Sequence, residues 1–382
     1  MQLEPGDARP ARSASRRRAA VAALLALSAA AGCSGSPSGP SDVDARAALT
    51  PVLPTAEWPS AAPDSEGVDS ARLAALVGRI RARAYGSISS LLVVRNGQLV
   101  VEEYFNGATP SVPHTMQSVS KSVTSLLAGI AIDQGRLGLA DRVLALMRTY
   151  DPVANRDARK DALTVRDLLT MRTGFDWSEN VYAGSPLQRL NDCRCDWLRF
   201  VLDWPMRETP GTRFEYVSGG VILLGGVIGA ATGQRIDRFA DQYLFGPLQM
   251  QGPYWISGQP DDLPHTGGGL YLRARDMAKI GQLVLDEGRW RGAQIVSASW
   301  IHESTARAVA TGRSFGSHPV DYGYLWWVTS PSEIITASGA LGQWIFVSPR
   351  DRLVVTATGN NDNGFQVSPV DFFYAEILTA VR

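Results

Sequence analysis

Cysteine and histidine are scarce in this chain, three and four among 382 residues. Three cysteines, Cys33, Cys193 and Cys195, cannot build the bridge framework of a small secreted scaffold. His114, His265, His302 and His318 stand far apart and form no HExxH or paired Cys/His spacing, so no metal and no cofactor is expected. Charge of one sign is missing too: Lys+Arg 37 against Asp+Glu 37 leaves a formal net charge of zero. That balance excludes a basic nucleic-acid-binding surface as the main function. Lysine is rarer still, with Lys121, Lys160 and Lys279 standing among many arginines. Arginine keeps its proton at any working pH and lysine can lose it, so each lysine is informative.

No apolar run is long enough for a stable membrane span, and one that matters stands at the N-terminus. Arg16-Arg17-Arg18 precede the apolar stretch Ala19–Ala31, which ends in Gly32-Cys33. A charged region, a short apolar core and small residues at its end read as an export signal over residues 1–32, too short for a stable membrane span. Ala30-Ala31-Gly32-Cys33 is similar to a bacterial lipobox, in which Cys33 becomes the lipidated first residue and attaches the chain to a membrane. The expected location is the cell envelope, or otherwise the periplasm or the outside. Residues 33–60 carry Ser, Gly and Pro without periodicity and read as a tether. Cys193 and Cys195 read as two free, partly buried thiols, because a bridge across one residue is strained.

The remainder, residues 61–382, reads as one α+β (α/β-type) domain. Leu73, Leu76, Val77 and Ile80 share a face of a helix over 70–84. β-rich runs at 89–95 and 99–105 flank Asn96-Gly97, the preferred two-residue hairpin turn. Three further strands are expected near the C-terminus, at 324–329, 343–348 and 353–358, followed by an apolar helix from 369 to 381. Two strands and three strands are each too few for a sheet of their own. Joined, they give a five-stranded antiparallel sheet drawn from both chain ends and flanked by helices. The middle, about 135–270, is then an inserted helical subdomain, with a cleft expected where the two parts meet.

Three short segments carry chemistry. Ser118-Val119-Ser120-Lys121 opens an apolar helix, and positions i and i+3 share a face. A first-turn serine lies beside free backbone N–H groups, and a desolvated lysine can accept its proton. Tyr216-Val217-Ser218 leads into the glycine-rich apolar stretch 219–231, where a tyrosine near a cation can move protons. Ala337-Ser338-Gly339-Ala340-Leu341-Gly342 precedes a strand, and its small residues let backbone N–H groups approach a ligand. Alone, each also fits a plain structural reading: a helix start, a core tyrosine, a glycine loop.

Together, SxxK, Y-x-S about a hundred residues later and a small-residue turn before a C-terminal strand pair resemble the penicillin-recognising serine hydrolases. The likeness is to the β-lactamase-related branch nearest class C, which includes esterases, DD-peptidases and 6-aminohexanoate-oligomer hydrolases. It implies a β-lactamase/transpeptidase-like fold with Ser118 as nucleophile, Lys121 as its base and Tyr216 as the proton relay. It places the oxyanion hole at the N–H groups of Ser118 and Ala340, and substrate contacts at Ser218, Ser338 and Gly339. Two departures stand out. Ala337 occupies the lysine position of K-T-G, and Ser218 replaces the asparagine of Y-x-N, where its hydroxyl can bond Lys121. Both favour a small neutral ester or amide over a β-lactam. A true β-lactamase, a D-amino-acid peptidase and a non-catalytic envelope lipoprotein that senses peptidoglycan or a lactam stay open. Oligomeric state is not legible.

Overall fold

The computed structural model describes residues 58–258, 262–329, 333–361 and 369–382. The export signal, Cys33 and most of the tether lie outside the described residues.

Helix α1 (Ser70–Arg81) starts where Asp69 accepts the backbone N–H of Arg72 at 3.0 Å, and it buries Leu73, Leu76, Val77 and Ile80. Strands β1 (Ile88–Arg95) and β2 (Gln98–Tyr104) form the expected hairpin. Its turn residues Asn96 (φ 52°) and Gly97 (φ 79°) both lie in the left-handed region that this turn demands.

Among the described residues the central sheet has eight strands rather than five. Besides the hairpin it holds β3 (Val309–Phe315), β4 (His318–Tyr322), β5 (Trp327–Thr329), β6 (Ile335–Gly339), β7 (Gln343–Ser348) and β8 (Leu353–Gly359). The order across it is β3-β4-β5-β6-β7-β8-β1-β2, and every neighbouring pair is antiparallel. The chain ends meet where β1 pairs with β8, Val93 opposite Val355. The three missed strands lack a strand's usual sequence signal. β3 is a mostly exposed edge with Gly312 in it, β4 contains Pro319, and β6 ends in Ala337-Ser338-Gly339. Tertiary pairing makes them strands.

Alternation along β1 sends Leu91 and Val93 into one core and Leu92 and Val94 into another. The first core is closed by α1 and the helical run from Pro369 to Ala380. The second packs against α2 (Val119–Asp133) and against two more helices, α3 (Ser218–Thr232) and α4 (Ala274–Leu285). Helix α3 is nearly all buried, and its glycines allow that closeness. A Cβ at Gly219 would come within 2.6 Å of the Trp177 ring. Among the described residues no single helix is long and apolar enough to cross a membrane.

Between α2 and α4 the chain makes mostly short helices, including Pro186–Asp192 and Trp197–Leu202. Cys193 and Cys195 join these two helices and are bonded to each other, not free, with their Cα atoms 5.3 Å apart. That separation falls inside the ordinary range for a disulfide, so an extended backbone at this point removes the expected obstacle.

Candidate active site

Ser118 sits at the N-cap of α2 (φ −67°, ψ −7°), directly after Gln117, which is held in the left-handed region at φ 46°. A side chain strained into that region marks a backbone over-determined by its surroundings. Here the surroundings are β6. A Cβ at Gly339 would lie 2.5 Å from the Met116 carbonyl oxygen, so only glycine lets this strand end press against the segment that carries Ser118. Gly339 therefore packs against backbone, and Ser338 pairs with Trp344 in the ladder. Ala340, one residue on, lines the same cleft as Ser118.

One helical turn after Ser118, the Nζ of Lys121 lies 2.9 Å from its Oγ and also bonds the carbonyl of Gly267. Lys121 is almost wholly buried, and that burial lowers its pKa to about 8, while the carboxylate of Glu179 pulls it upward. The Tyr216 ring lies 4.9 Å from Nζ, and Ser118 is near enough to lower the phenol's pKa. Ser118, Lys121 and Tyr216, drawn from two helix starts about a hundred residues apart, thus meet at one point. Burial pushes the Tyr216 phenol well above its ordinary pKa, and the nearby Ser118 hydroxyl only partly offsets it. The two shifts run in opposite directions: burial favours the protonated phenol and eases the loss of the lysine's proton.

Tyr216 is clamped by aromatics. It stacks on Trp327 with ring centroids 5.9 Å apart, and Tyr322 meets it edge-on at 6.4 Å. Of the adjacent tryptophans, Trp326 is fully buried and Trp327 supports the tyrosine.

Ser218 lines the cleft, but its hydroxyl bonds Glu179 rather than Lys121. Its Oγ donates to Glu179 Oε2 at 2.7 Å and its backbone N–H to Glu179 Oε1 at 2.6 Å. A carboxylate is the stronger acceptor and lies at the start of α3, where free N–H groups and the helix dipole favour an anion. Trp177 Nε1 also donates to Glu179, at 2.6 Å. No sequence motif announces Glu179; it is a loop residue made important by the turn that carries it back to α3.

The cleft has a volume of about 560 Å³, the size of a small-molecule site. Thr115 and Gln117 line it before Ser118; Glu179, Tyr182, Leu187 and Asn191 line it from the loop and helix after Trp177. His265, Gly267, Gly268 and Tyr271 complete the opposite wall. The Nε2 of His265 lies 3.1 Å from Asn191 Oδ1, and burial lowers its pKa to about 4, so the ring is neutral near pH 7. Among the described residues no arginine lines the cleft, and the one lysine beside it is Lys121, already engaged by Ser118 and Gly267. Ala337 is fully buried in the core, so the K-T-G lysine has no substitute at its own position. Among the described residues no cluster of His, Cys, Asp or Glu could hold a metal ion.

All three lysines are buried, but only one faces the cleft. Lys160 donates to the carbonyls of Ala154, Leu202 and Trp204, and Lys279 pairs with Asp276. Burial lowers the pKa of Lys160 to about 8 as well. Titration behaviour alone would not have singled out Lys121; its serine neighbour does.

Known proteins share this arrangement of chain. The 6-aminohexanoate-dimer hydrolase of Paenarthrobacter ureafaciens is 26% identical over 331 residues, 81% of this chain and 83% of its own. Esterase EstB of Burkholderia gladioli is 25% identical over 57% of this chain and 61% of its own length. The solved structure of EstCE1, a hydrolase with promiscuous acyltransferase activity, superposes with a TM-score of 0.66 at 17% identity, over 81% of this chain and 98% of its own. The family model named Beta-lactamase matches residues 76–378, most of the chain and every strand of the central sheet. This chain belongs to the Beta-lactamase family and is one of its serine hydrolases.

Proposed function

We propose that the chain hydrolyses a small, neutral ester or simple amide through an acyl-enzyme on Ser118. The observation that carries this is the 2.9 Å contact between Ser118 Oγ and a buried Lys121 whose pKa is lowered to about 8. Neutral Lys121 takes the Ser118 proton as Oγ attacks the carbonyl carbon. The backbone N–H groups of Ser118 and Ala340 hold the resulting oxyanion. Tyr216, still protonated, passes its proton to the leaving alcohol or amine as that bond breaks, and Lys121 restores it. Water then releases the acid by the reverse sequence. One relative is named a 6-aminohexanoate-dimer hydrolase and another an esterase, which supports both bond types. Export and lipid attachment through Cys33 belong to the same reading and rest on the pattern of residues 16–33.

The test is to quench the protein during turnover of p-nitrophenyl acetate and map its peptides by mass. The peptide containing Ser118 is expected to carry one acetyl group, absent in Ser118→Ala. A protein that turns over no ester or amide and carries no adduct would be a binding protein instead.

The pH profile is a second expectation. Lys121 must be neutral to act, so kcat/KM should rise through about pH 8 and level off above it. Glu179, Tyr216 and His265 face Lys121, and Glu179 is the one whose charge opposes its deprotonation. Glu179→Gln should therefore move the rising limb to lower pH. An unmoved limb would remove Glu179 from the control of Lys121.

A further inference from the structure

The large apolar side chains left exposed among the described residues are Val112, Val181, Tyr182, Tyr254 and Ile256, at 47–70% exposure. They are not scattered. Tyr182 and Ile256 line the cleft itself, and Val181 adjoins Tyr182 in the chain. Tyr254 stacks on Tyr271, a cleft residue, with ring centroids 4.6 Å apart and planes 13° from parallel. Val112 leads into the two-residue strand His114–Thr115, which pairs with Leu270–Leu272. Four of the five thus lie in or beside the cleft, and an exposed apolar patch at a cleft marks a binding surface.

Register shows how they connect. In the small three-stranded sheet, Thr115 lies opposite Tyr271 and Tyr271 opposite Tyr254. Directly opposed residues share a face, so the face that lines the cleft at Thr115 and Tyr271 continues outward to Tyr254. Ile256, two residues along from Tyr254, continues it again through its backbone bond to Gly269. The result is an apolar ledge running from the cleft to solvent, with Tyr182 from the loop opposite. Glu179 lines the cleft as well, but bonded to Ser218 and Trp177, and no ledge residue is charged. Tyr216, which would serve the leaving group, stands away from this ledge, among Phe214, Tyr322 and Trp327.

Resting on the proposed ester or amide hydrolysis, we infer that this ledge is an acyl-chain subsite and that the substrates of this chain carry an extended apolar acyl group. Two strand steps of about 4.8 Å span roughly 10 Å, about the reach of an eight-carbon chain. The ledge is half-open, so each added CH₂ recovers part of its transfer free energy, roughly a factor of two.

The experiment is kcat/KM for p-nitrophenyl esters from acetate to decanoate, below their aggregation limits, with hexyl and octyl acetate as the alcohol-side series. From acetate to octanoate the value should rise at least about tenfold and then flatten. Tyr254→Ser, and separately Tyr182→Ser from the facing wall, should cut the octanoate-to-acetate ratio roughly fivefold. Both side chains are exposed and removing them opens no buried cavity. Ser118-dependent hydrolysis with no rise along the acyl series would overturn the subsite and leave the proposed hydrolysis intact. So would a rise confined to the alcohol series, or one that appears only above the aggregation limit, which would indicate docking on a lipid surface. No hydrolysis of any ester or amide would instead overturn the reading on which the subsite rests.

Discussion

Lys121→Arg is expected to lower kcat/KM for p-nitrophenyl acetate by roughly 10³-fold, within the span that a positioned general base contributes. The reason is the proton. Guanidinium stays protonated at every pH at which the protein is folded, so it cannot accept the Ser118 proton, however well it is placed. Charge alone is kept, so a role limited to holding Ser118 or the Gly267 carbonyl would survive in part. The pH profile separates the cases: the rising limb near pH 8 should vanish in the variant, not shift. Lys121 is buried and arginine is larger, so far-UV circular dichroism must confirm the fold. Lys121→Met, similar in length and uncharged, supplies a second variant that overpacks less. Near wild-type rates in both would make Lys121 a structural lysine like Lys160, whose Nζ only satisfies three carbonyls.

Much of this site is legible in the sequence because its pieces are local. Ser118 and Lys121 are one helical turn apart, so the i,i+3 rule brings them together before any tertiary fact is known. The Asn96-Gly97 turn is equally local, and with it the pairing of β1 and β2. What the sequence hides depends on partners. β6 reads as a glycine loop because Ala337-Ser338-Gly339 has no strand preference; it is a strand because β5 and β7 bracket it. Glu179 reads as one loop acid among many, and acquires meaning only when it accepts the N–H and hydroxyl of Ser218. Position in space, not residue type, made the difference for both. The bonded pair Cys193–Cys195 teaches the same lesson, since the spacing argues against a bridge that the backbone conformation permits.

The sharpest consequence of this geometry is selectivity against β-lactams: kcat/KM for a chromogenic cephalosporin should fall about 10³-fold or more below that for p-nitrophenyl butyrate. A cephalosporin brings a carboxylate into the cleft and strips its hydration. Where a cation meets that carboxylate, a partly desolvated pair is worth a few kcal/mol, and 1.4 kcal/mol is tenfold. Here Ala337 turns its methyl into the core, and among the described residues no cation besides the catalytic Lys121 borders the cleft. Arg313 does make its charge felt at Tyr216, but it lies over the Phe214 ring, 5.6 Å from the centroid, outside the cleft wall. Glu179 makes matters worse for an anion, because its carboxylate lines the same cavity and repels a second one. A butyrate ester meets neither penalty, and its carbonyl faces the same Ser118. Removing that repelling charge should narrow the gap from the β-lactam side: with Glu179→Gln, cephalosporin turnover should rise relative to the ester once the comparison is made on the plateau above the Lys121 limb. Turnover of the cephalosporin faster than of any simple ester by the unaltered chain would mean that a cation reaches the cleft during catalysis, Arg313 first among the candidates, and Arg313→Ala would then have to abolish it.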